Sequence, residues 1–168
     1  MKIIQYLSLL ILGIILFVSC GIYSFTGASI PPGAETVSVQ YFPNKAATIQ
    51  PTVSQVFTEK LKDAFVEQTN LTLSDNEGDL AFSGYISKYQ IKPMAIKANE
   101  TAGKNRLTIA VKVTYNNSFD AEDNFEHTFS RYRDYDSAES ISEVESTLIE
   151  EITNELAEDV FNKAFVNW

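Results

Sequence analysis

Residues 107–115 alternate between apolar and polar side chains more regularly than any other part of the chain. The odd positions are apolar and the even ones are polar or small: Leu107, Ile109, Val111, Val113 and Tyr115 against Thr108, Ala110, Lys112 and Thr114. A period of two places successive side chains on opposite faces of a sheet. The stretch therefore predicts a strand with one buried face and one wet face, and the chain must supply an apolar layer to cover the buried one.

Three other stretches show the same alternation. Residues 37–41 form a first strand that stops at Pro43, residues 80–91 a second strand, and residues 125–132 a fourth that follows residues 107–115. The last three strands are joined by segments without a helical pattern, which predicts an antiparallel meander.

Two segments have the period of an amphipathic helix. Apolar residues recur at steps of three and four over residues 51–68, and again from Ile141 to Val160 in a helix of about 24–27 residues. Thr52 with Gln55 and Ser140 with Glu143 have the spacing of capping boxes. The second helix has an acidic outer face, which we interpret as a solvated surface: Glu145, Glu150, Glu151, Glu155 and Glu158.

The predicted order of elements is β-α-β-β-β-α. A mostly antiparallel four-stranded sheet with both helices on one face would bury both amphipathic stripes. The fold class is therefore α+β, a two-layer sandwich.

The N-terminus has the pattern of a bacterial lipoprotein signal. Lys2 precedes an apolar run from Leu7 to Val18, and Ser19 and Cys20 close it. Cys20 is the only cysteine, so it has no internal disulfide partner, and it is the predicted site of lipidation. We expect a signal peptide over 1–19, a lipidated tether over 20–35 and one domain over 36–168. A transmembrane anchor is the alternative, since the run approaches spanning length.

Composition narrows the possible functions. After removal of residues 1–19 the chain has 12 basic and 22 acidic residues, a net charge of −10. That charge argues against general nucleic-acid binding, which depends on neutralising phosphates. With one cysteine and one histidine the chain has no thiolate–imidazole metal cluster, and we expect no cofactor.

The sequence contains no pattern typical of catalysis. His127 and Glu126 are adjacent in a predicted strand, so their side chains point to opposite faces and do not form an acid–base pair. We therefore expect a protein that is not an enzyme.

Charge is segregated along the chain. Ten acidic residues and no basic ones lie between Asp134 and Asp159, whereas residues 88–112 contain six basic residues and one acid, Glu100. Basic side chains on a strand pair can bind phosphates through charge-assisted hydrogen bonds. The candidate phosphate ligands are Lys88, Lys97, Lys104, Arg106 and Lys112, with Arg131 and Arg133 as second-rank candidates. The alternative is that these residues only protect exposed strands from pairing.

The predicted mature N-terminus resembles the start of the LptE lipopolysaccharide-assembly lipoproteins of Bacteroidetes-type bacteria: it reads Cys20-Gly21-Ile22-Tyr23-Ser24-Phe25. The order of helices and strands that follows is also similar to that of this family. The resemblance implies a lipid-anchored, periplasm-facing outer-membrane protein without covalent chemistry. It would plug a large β-barrel, LptD, assist the folding of that barrel and help pass lipopolysaccharide to the outer leaflet. Basic residues near the loop between the second and third strands have been associated with lipopolysaccharide in this family. Lys97, with Lys104 and Arg106, is the most similar position here.

An auxiliary lipoprotein of a lipid-transporting ABC system is the second hypothesis. It predicts a groove for a lipid tail and no barrel partner. An outer-membrane barrel that co-purifies with the protein would separate the two.

Overall fold

The computed structural model describes residues 28–95 and 103–166. The elements, in chain order, are β1 (Thr36–Val39), α1 (Pro51–Gln68), β2 (Thr72–Leu73), β3 (Leu80–Pro93), β4 (Lys104–Asn117), a 3-10 turn (Ala121–Asp123), β5 (Phe125–Asp136) and α2 (Ile141–Phe165). Neither α1 nor α2 combines the length and the apolar composition that a membrane-spanning helix requires.

The five strands form one sheet in the order β2-β1-β3-β4-β5. Strands β3, β4 and β5 pair antiparallel, which confirms the predicted meander, while β1 runs parallel to both of its neighbours. The predicted count of four strands was one too low. The additional strand, β2, has only two residues, both exposed, and is too short for a periodic pattern.

Both helices pack on one face of the sheet, as the sequence predicted. Their apolar stripes meet the sheet in a cluster of aromatic rings contributed by Phe65, Phe82, Tyr115, Phe161 and Phe165. The ring centroid of Phe82 lies 4.5 Å from that of Phe65 on α1 and 4.7 Å from that of Tyr115 on β4. All five side chains are almost completely buried, so this cluster is the centre of the hydrophobic core.

Gly84 of β3 leaves the space that the Phe42 ring occupies against the sheet. Its φ is +155°, and a Cβ there would lie 2.0 Å from the carbonyl oxygen of Lys112 and 2.7 Å from the ring of Phe42. Phe42 is fully buried. Glycine is therefore required for the Phe42 ring to fit against the sheet.

The helices begin where the sequence predicted, but their capping hydrogen bonds differ from the prediction. α1 begins at Pro51, and the side chain of Gln50 accepts a hydrogen bond from the Thr52 N–H at 3.4 Å, so Thr52 lies inside the first turn. Ser140 is the N-cap of α2, but its side chain makes no capping hydrogen bond. Both predicted capping boxes were wrong, although the helices themselves were correct.

The described part of the predicted tether is attached to the domain. The N–H of Ser29 donates to the Phe165 carbonyl at 2.7 Å, and Ile30 and Ala34 pack against the core. The Asp79 carboxylate accepts hydrogen bonds from the Thr36 hydroxyl and from the backbone N–H groups of Glu35 and Thr36. These hydrogen bonds lower the pKa of Asp79, and the bond from the Thr36 hydroxyl contributes most to that shift. The segment therefore leaves the domain beside the start of β3.

Candidate functional site

The sheet face opposite the helices, which we call the open face, carries most of the predicted phosphate ligands. On β4, Lys104, Arg106 and Lys112 alternate with buried residues that face the helices. On β3, a register shift between Ile86 and Lys88 changes which positions face outward. As a result Lys88 and Lys92 lie on the open face, and Lys92 is directly opposite Arg106.

Two of these cations are already neutralised by β5. The Arg106 guanidinium donates two hydrogen bonds to the Asp134 carboxylate, at 2.7 and 2.8 Å, and lies over the Tyr132 ring at 3.6 Å. The bond raises the pKa of Arg106 and lowers that of Asp134. Lys112 Nζ lies 2.6 Å from a Glu126 carboxylate oxygen. Both side chains are therefore held in place by neighbours on the sheet.

Three other basic residues of the open face are not held in this way by an ion pair with a described residue: Lys88, Lys92 and Lys104. We call these three residues the basic rail. All three are exposed, and no ion pair or side-chain hydrogen bond between described residues involves them. They run along the end of the β3–β4 hairpin that lies farthest from the attached N-terminal segment. Their ammonium groups are available to an external anion.

Arg131 and Arg133 lie on the covered face of β5 and contact α2. Arg131 donates two hydrogen bonds to Asp159, both at 2.6 Å. Arg133 donates to Glu151 at 2.8 Å and also pairs with Glu155. Arg131 is therefore on the opposite side of the sheet from the basic rail, and its guanidinium is occupied by carboxylates of α2.

The acidic face of α2 is not simply a solvated surface. Glu151 and Glu155 pair with Arg133, Glu150 lies 3.4 Å from Lys60 of α1, and Glu145 accepts a hydrogen bond from the Tyr89 hydroxyl. The bond from Arg133 lowers the pKa of Glu155. This face ties α2 to β5, to β3 and to α1.

Two predicted residues, Cys20 and Lys97, lie outside the described residues. His127 and Glu126 do point to opposite faces: Glu126 pairs with Lys112, whereas the His127 ring packs against that of Phe129 with centroids 4.8 Å apart. No group of three or more His, Cys, Asp or Glu residues within 28–95 and 103–166 is arranged to hold a metal ion.

Lys92 was missing from the predicted ligand set. Lys92 follows Lys88 by four residues, and an even spacing places two side chains on the same face of a strand. That spacing could have added Lys92 to the predicted ligands. That this face is the open one depends on the register shift, which the sequence pattern did not indicate.

Comparison with known proteins agrees with the fold. No curated protein matches the chain significantly. Among solved structures, a minor lipoprotein from Acinetobacter baumannii is 15% identical with a TM-score of 0.51, covering 77% of this chain and 91% of that one. A neuraminyllactose-binding hemagglutinin homologue from Helicobacter pylori is 10% identical with a TM-score of 0.51, covering 84% and 89%. At these identities the likeness shows the fold alone.

A match to a family model shows which protein family the chain belongs to. The model described as LptE, lipopolysaccharide-assembly, matches residues 34–164, which include every helix and strand of the structure apart from the last residue of α2. The chain belongs to the LptE family of lipopolysaccharide-assembly proteins.

Proposed function

We propose that this protein is a lipid-anchored outer-membrane subunit that plugs an LptD-like barrel, assists its assembly and helps deliver lipopolysaccharide to the outer leaflet. The observation that carries the proposal is the basic rail on a sheet face that neither α1 nor α2 covers, in a chain of the lipopolysaccharide-assembly family. The protein would act by binding and placement, without making or breaking covalent bonds.

The chemistry of the basic rail suits the phosphates of an anionic glycolipid. An ammonium group binds phosphate through short, charge-assisted hydrogen bonds. Because no close ion pair between described residues involves Lys88, Lys92 or Lys104, none of these has to break when phosphate binds. Lys104 lies near enough to Asp134 to help lower the pKa of that carboxyl, so Lys88 and Lys92 are the freer of the three. Arg106 lies opposite Lys92, and its guanidinium is already bound to Asp134. We therefore expect Arg106 to form part of the wall of the site and the lysines to bind the phosphate.

The length of the hairpin supports a plug. The attached segment and the start of β3 lie at one end of the domain, and the basic rail lies toward the other. A strand of 14 residues rises about 45 Å at roughly 3.3 Å per residue. That length is similar to a bilayer of about 40–45 Å including its headgroups.

The anchor position fits the same geometry. The eight residue-to-residue steps from Cys20 to Ala28 span at most roughly 29 Å when the chain is fully extended. One end of the domain would then stay near the inner leaflet. The basic rail would reach the level of the opposite headgroups only if the domain lies within a membrane-spanning partner.

Affinity purification of tagged full-length protein from detergent-solubilised outer membrane tests the partner. We expect a large outer-membrane barrel in stoichiometric amount. Abundant lipoprotein without a barrel would reject the plug and favour the auxiliary role in a lipid-transporting ABC system.

Metabolic labelling with a fatty acid tests the anchor. Label should enter the wild-type protein and be lost in Cys20→Ala. Retained label in that variant would show that lipidation at Cys20 is wrong.

A further inference from the structure

The sheet lacks a strand beside the second half of β1. β2 pairs with β1 only at Thr36 and Val37, and the last hydrogen bond between them runs from the Ser74 N–H to the Val37 carbonyl at 2.9 Å. β2 ends at Leu73, and after Ser74 the chain passes into the loop that leads to β3. Among the described residues, no strand continues along the outer edge of residues 38–41, which we call the notch.

The backbone of Val39 is directed into the notch. In a strand flanked by parallel neighbours, consecutive residues direct their backbone groups to alternate sides. The carbonyls of Glu35 and Val37 accept hydrogen bonds from the β2 side, whereas the Gln40 N–H donates to the Phe82 carbonyl of β3 at 2.9 Å. The N–H and C=O of Val39 therefore point away from β3, and no backbone hydrogen bond between described residues satisfies them.

A concavity of about 510 Å³ follows the notch. It is lined on the helix side by Lys62 and Leu73, on the open face by Ser83 and Asn116, and along the edge itself by Gln40 and Tyr41. It therefore wraps around both faces of the sheet edge, which is the space that one additional strand would fill. The Tyr41 side chain is 59% exposed and Leu73 is 39% exposed, so an added strand would find apolar surface there.

The rim of the notch is acidic. Asp75 and Glu77 line it, and within the described ranges neither takes part in an ion pair or a side-chain hydrogen bond. The one cation in the lining, Lys62, is paired with Glu59 at 3.1 Å. The uncompensated charge therefore favours a basic occupant.

We propose that the notch binds an extended polypeptide segment with basic side chains, which adds to β1 in line with β2. The Val39 N–H would donate to a carbonyl of the incoming segment and the Val39 carbonyl would accept from its N–H. Addition of a strand to a sheet edge is a recurring mode of peptide recognition, in which backbone bonds give affinity and side chains give specificity. The proposal does not depend on phosphate binding at the basic rail, which lies at the other end of β3.

The test uses the full-length lipidated protein in detergent and a capped peptide of alternating valine and lysine. We expect saturable binding, and at least about tenfold slower hydrogen exchange of the Val39 amide when the peptide is bound. The Gln40 amide is the internal control, since it is already bonded to Phe82.

Two comparisons separate strand addition from charge attraction. A peptide with the same side chains but N-methylated backbone amides should bind at least about tenfold more weakly. The double variant Asp75→Lys with Glu77→Lys should weaken binding of the unmodified peptide and prefer a valine–glutamate peptide. Both substituted residues are exposed, so the fold should persist.

Three results would overturn the proposal. The first is equal affinity for the N-methylated peptide, and the second is exchange protection at sites other than the notch. The third is a Val39 amide that is already protected in the free protein, because another part of the same chain would then occupy the notch.

Discussion

The two faces of the β3–β5 meander differ in how many of their basic residues are ion-paired. On the covered face, Arg131 and Arg133 are each bound by carboxylates of α2. On the open face, Lys88 and Lys92 have no such partner among the described residues. The comparison shows that α2 neutralises both arginines of the covered face. On the open face the carboxylates of β5 neutralise Arg106 and Lys112, whereas Lys88 and Lys92 remain available for a ligand.

The largest expected effect on the free energy of unfolding comes from a core residue of β3, Phe82, and its neighbour Ser83 on the opposite face provides the control. Phe82→Ala should cost about 3–5 kcal/mol of unfolding free energy, because it leaves a cavity in the aromatic cluster. Ser83→Ala on the open face should change it by less than about 0.5 kcal/mol. Denaturant unfolding measures both. Similar costs for the two variants would contradict the assignment of the faces.

A smaller effect is expected from the β5–α2 ion pairs. Arg133→Ala should lower the unfolding free energy by roughly 0.5–1 kcal/mol, since the pairs are partly exposed and screened by solvent. Because Arg133 faces the helix, lipopolysaccharide affinity should not change. A variant with normal stability and weakened lipopolysaccharide binding would place Arg133 in the ligand site instead.

The same ion pairs predict a dependence on pH. Arg133 holds the pKa of Glu155 below its ordinary value of 4.5, so folding is favoured above that pH and the contribution is lost as pH falls through the folded value. The stability difference between wild type and Arg133→Ala should therefore be full above pH 4.5 and shrink below it. Thermal unfolding of both proteins across this range provides the measurement. A difference that grows on acidification would contradict the assignment.

The smallest expected change in stability belongs to the basic rail. Lys92→Ala should leave the unfolding midpoint almost unchanged, because no ion pair between described residues involves Lys92. Calorimetry of this variant beside Arg133→Ala would compare the two faces directly. A clear loss of stability in Lys92→Ala would mean that the lysine has a structural partner.

The periodic parts of the fold were predictable from the sequence. Alternation located β3, β4 and β5, and the three-to-four spacing located both helices, because burial of one face constrains every second or every third to fourth residue. β2 has two exposed residues and carries no such signal. Its position depends on the backbone of β1, which offers it a hydrogen-bonding edge.

The candidate site was predictable only in part. The concentration of basic residues on the β3–β4 hairpin was visible, but the division between the two faces was visible only in part. The register shift near Ile86 decides that Lys88 and Lys92 lie on the open face, and periodicity does not report it. Arg131 has the parity of Phe125 and Phe129, so alternation already placed it on the covered face. Its ion pair with Asp159 depends on the packing of α2 on the sheet, which the sequence pattern did not indicate.

The central claim is that the basic rail binds the phosphates of lipopolysaccharide. Its most direct test measures lipopolysaccharide affinity after the same charge reversal is made on the sheet and, as a control, on the helices. One full-length variant carries Lys88→Glu, Lys92→Glu and Lys104→Glu, and its control carries Lys60→Glu, Lys62→Glu and Lys163→Glu on the helices, with the same change in net charge. We predict at least about a tenfold loss of affinity for the first variant and a much smaller loss for the control. Equal losses, or none in the first variant, would show that the basic rail does not bind the phosphates.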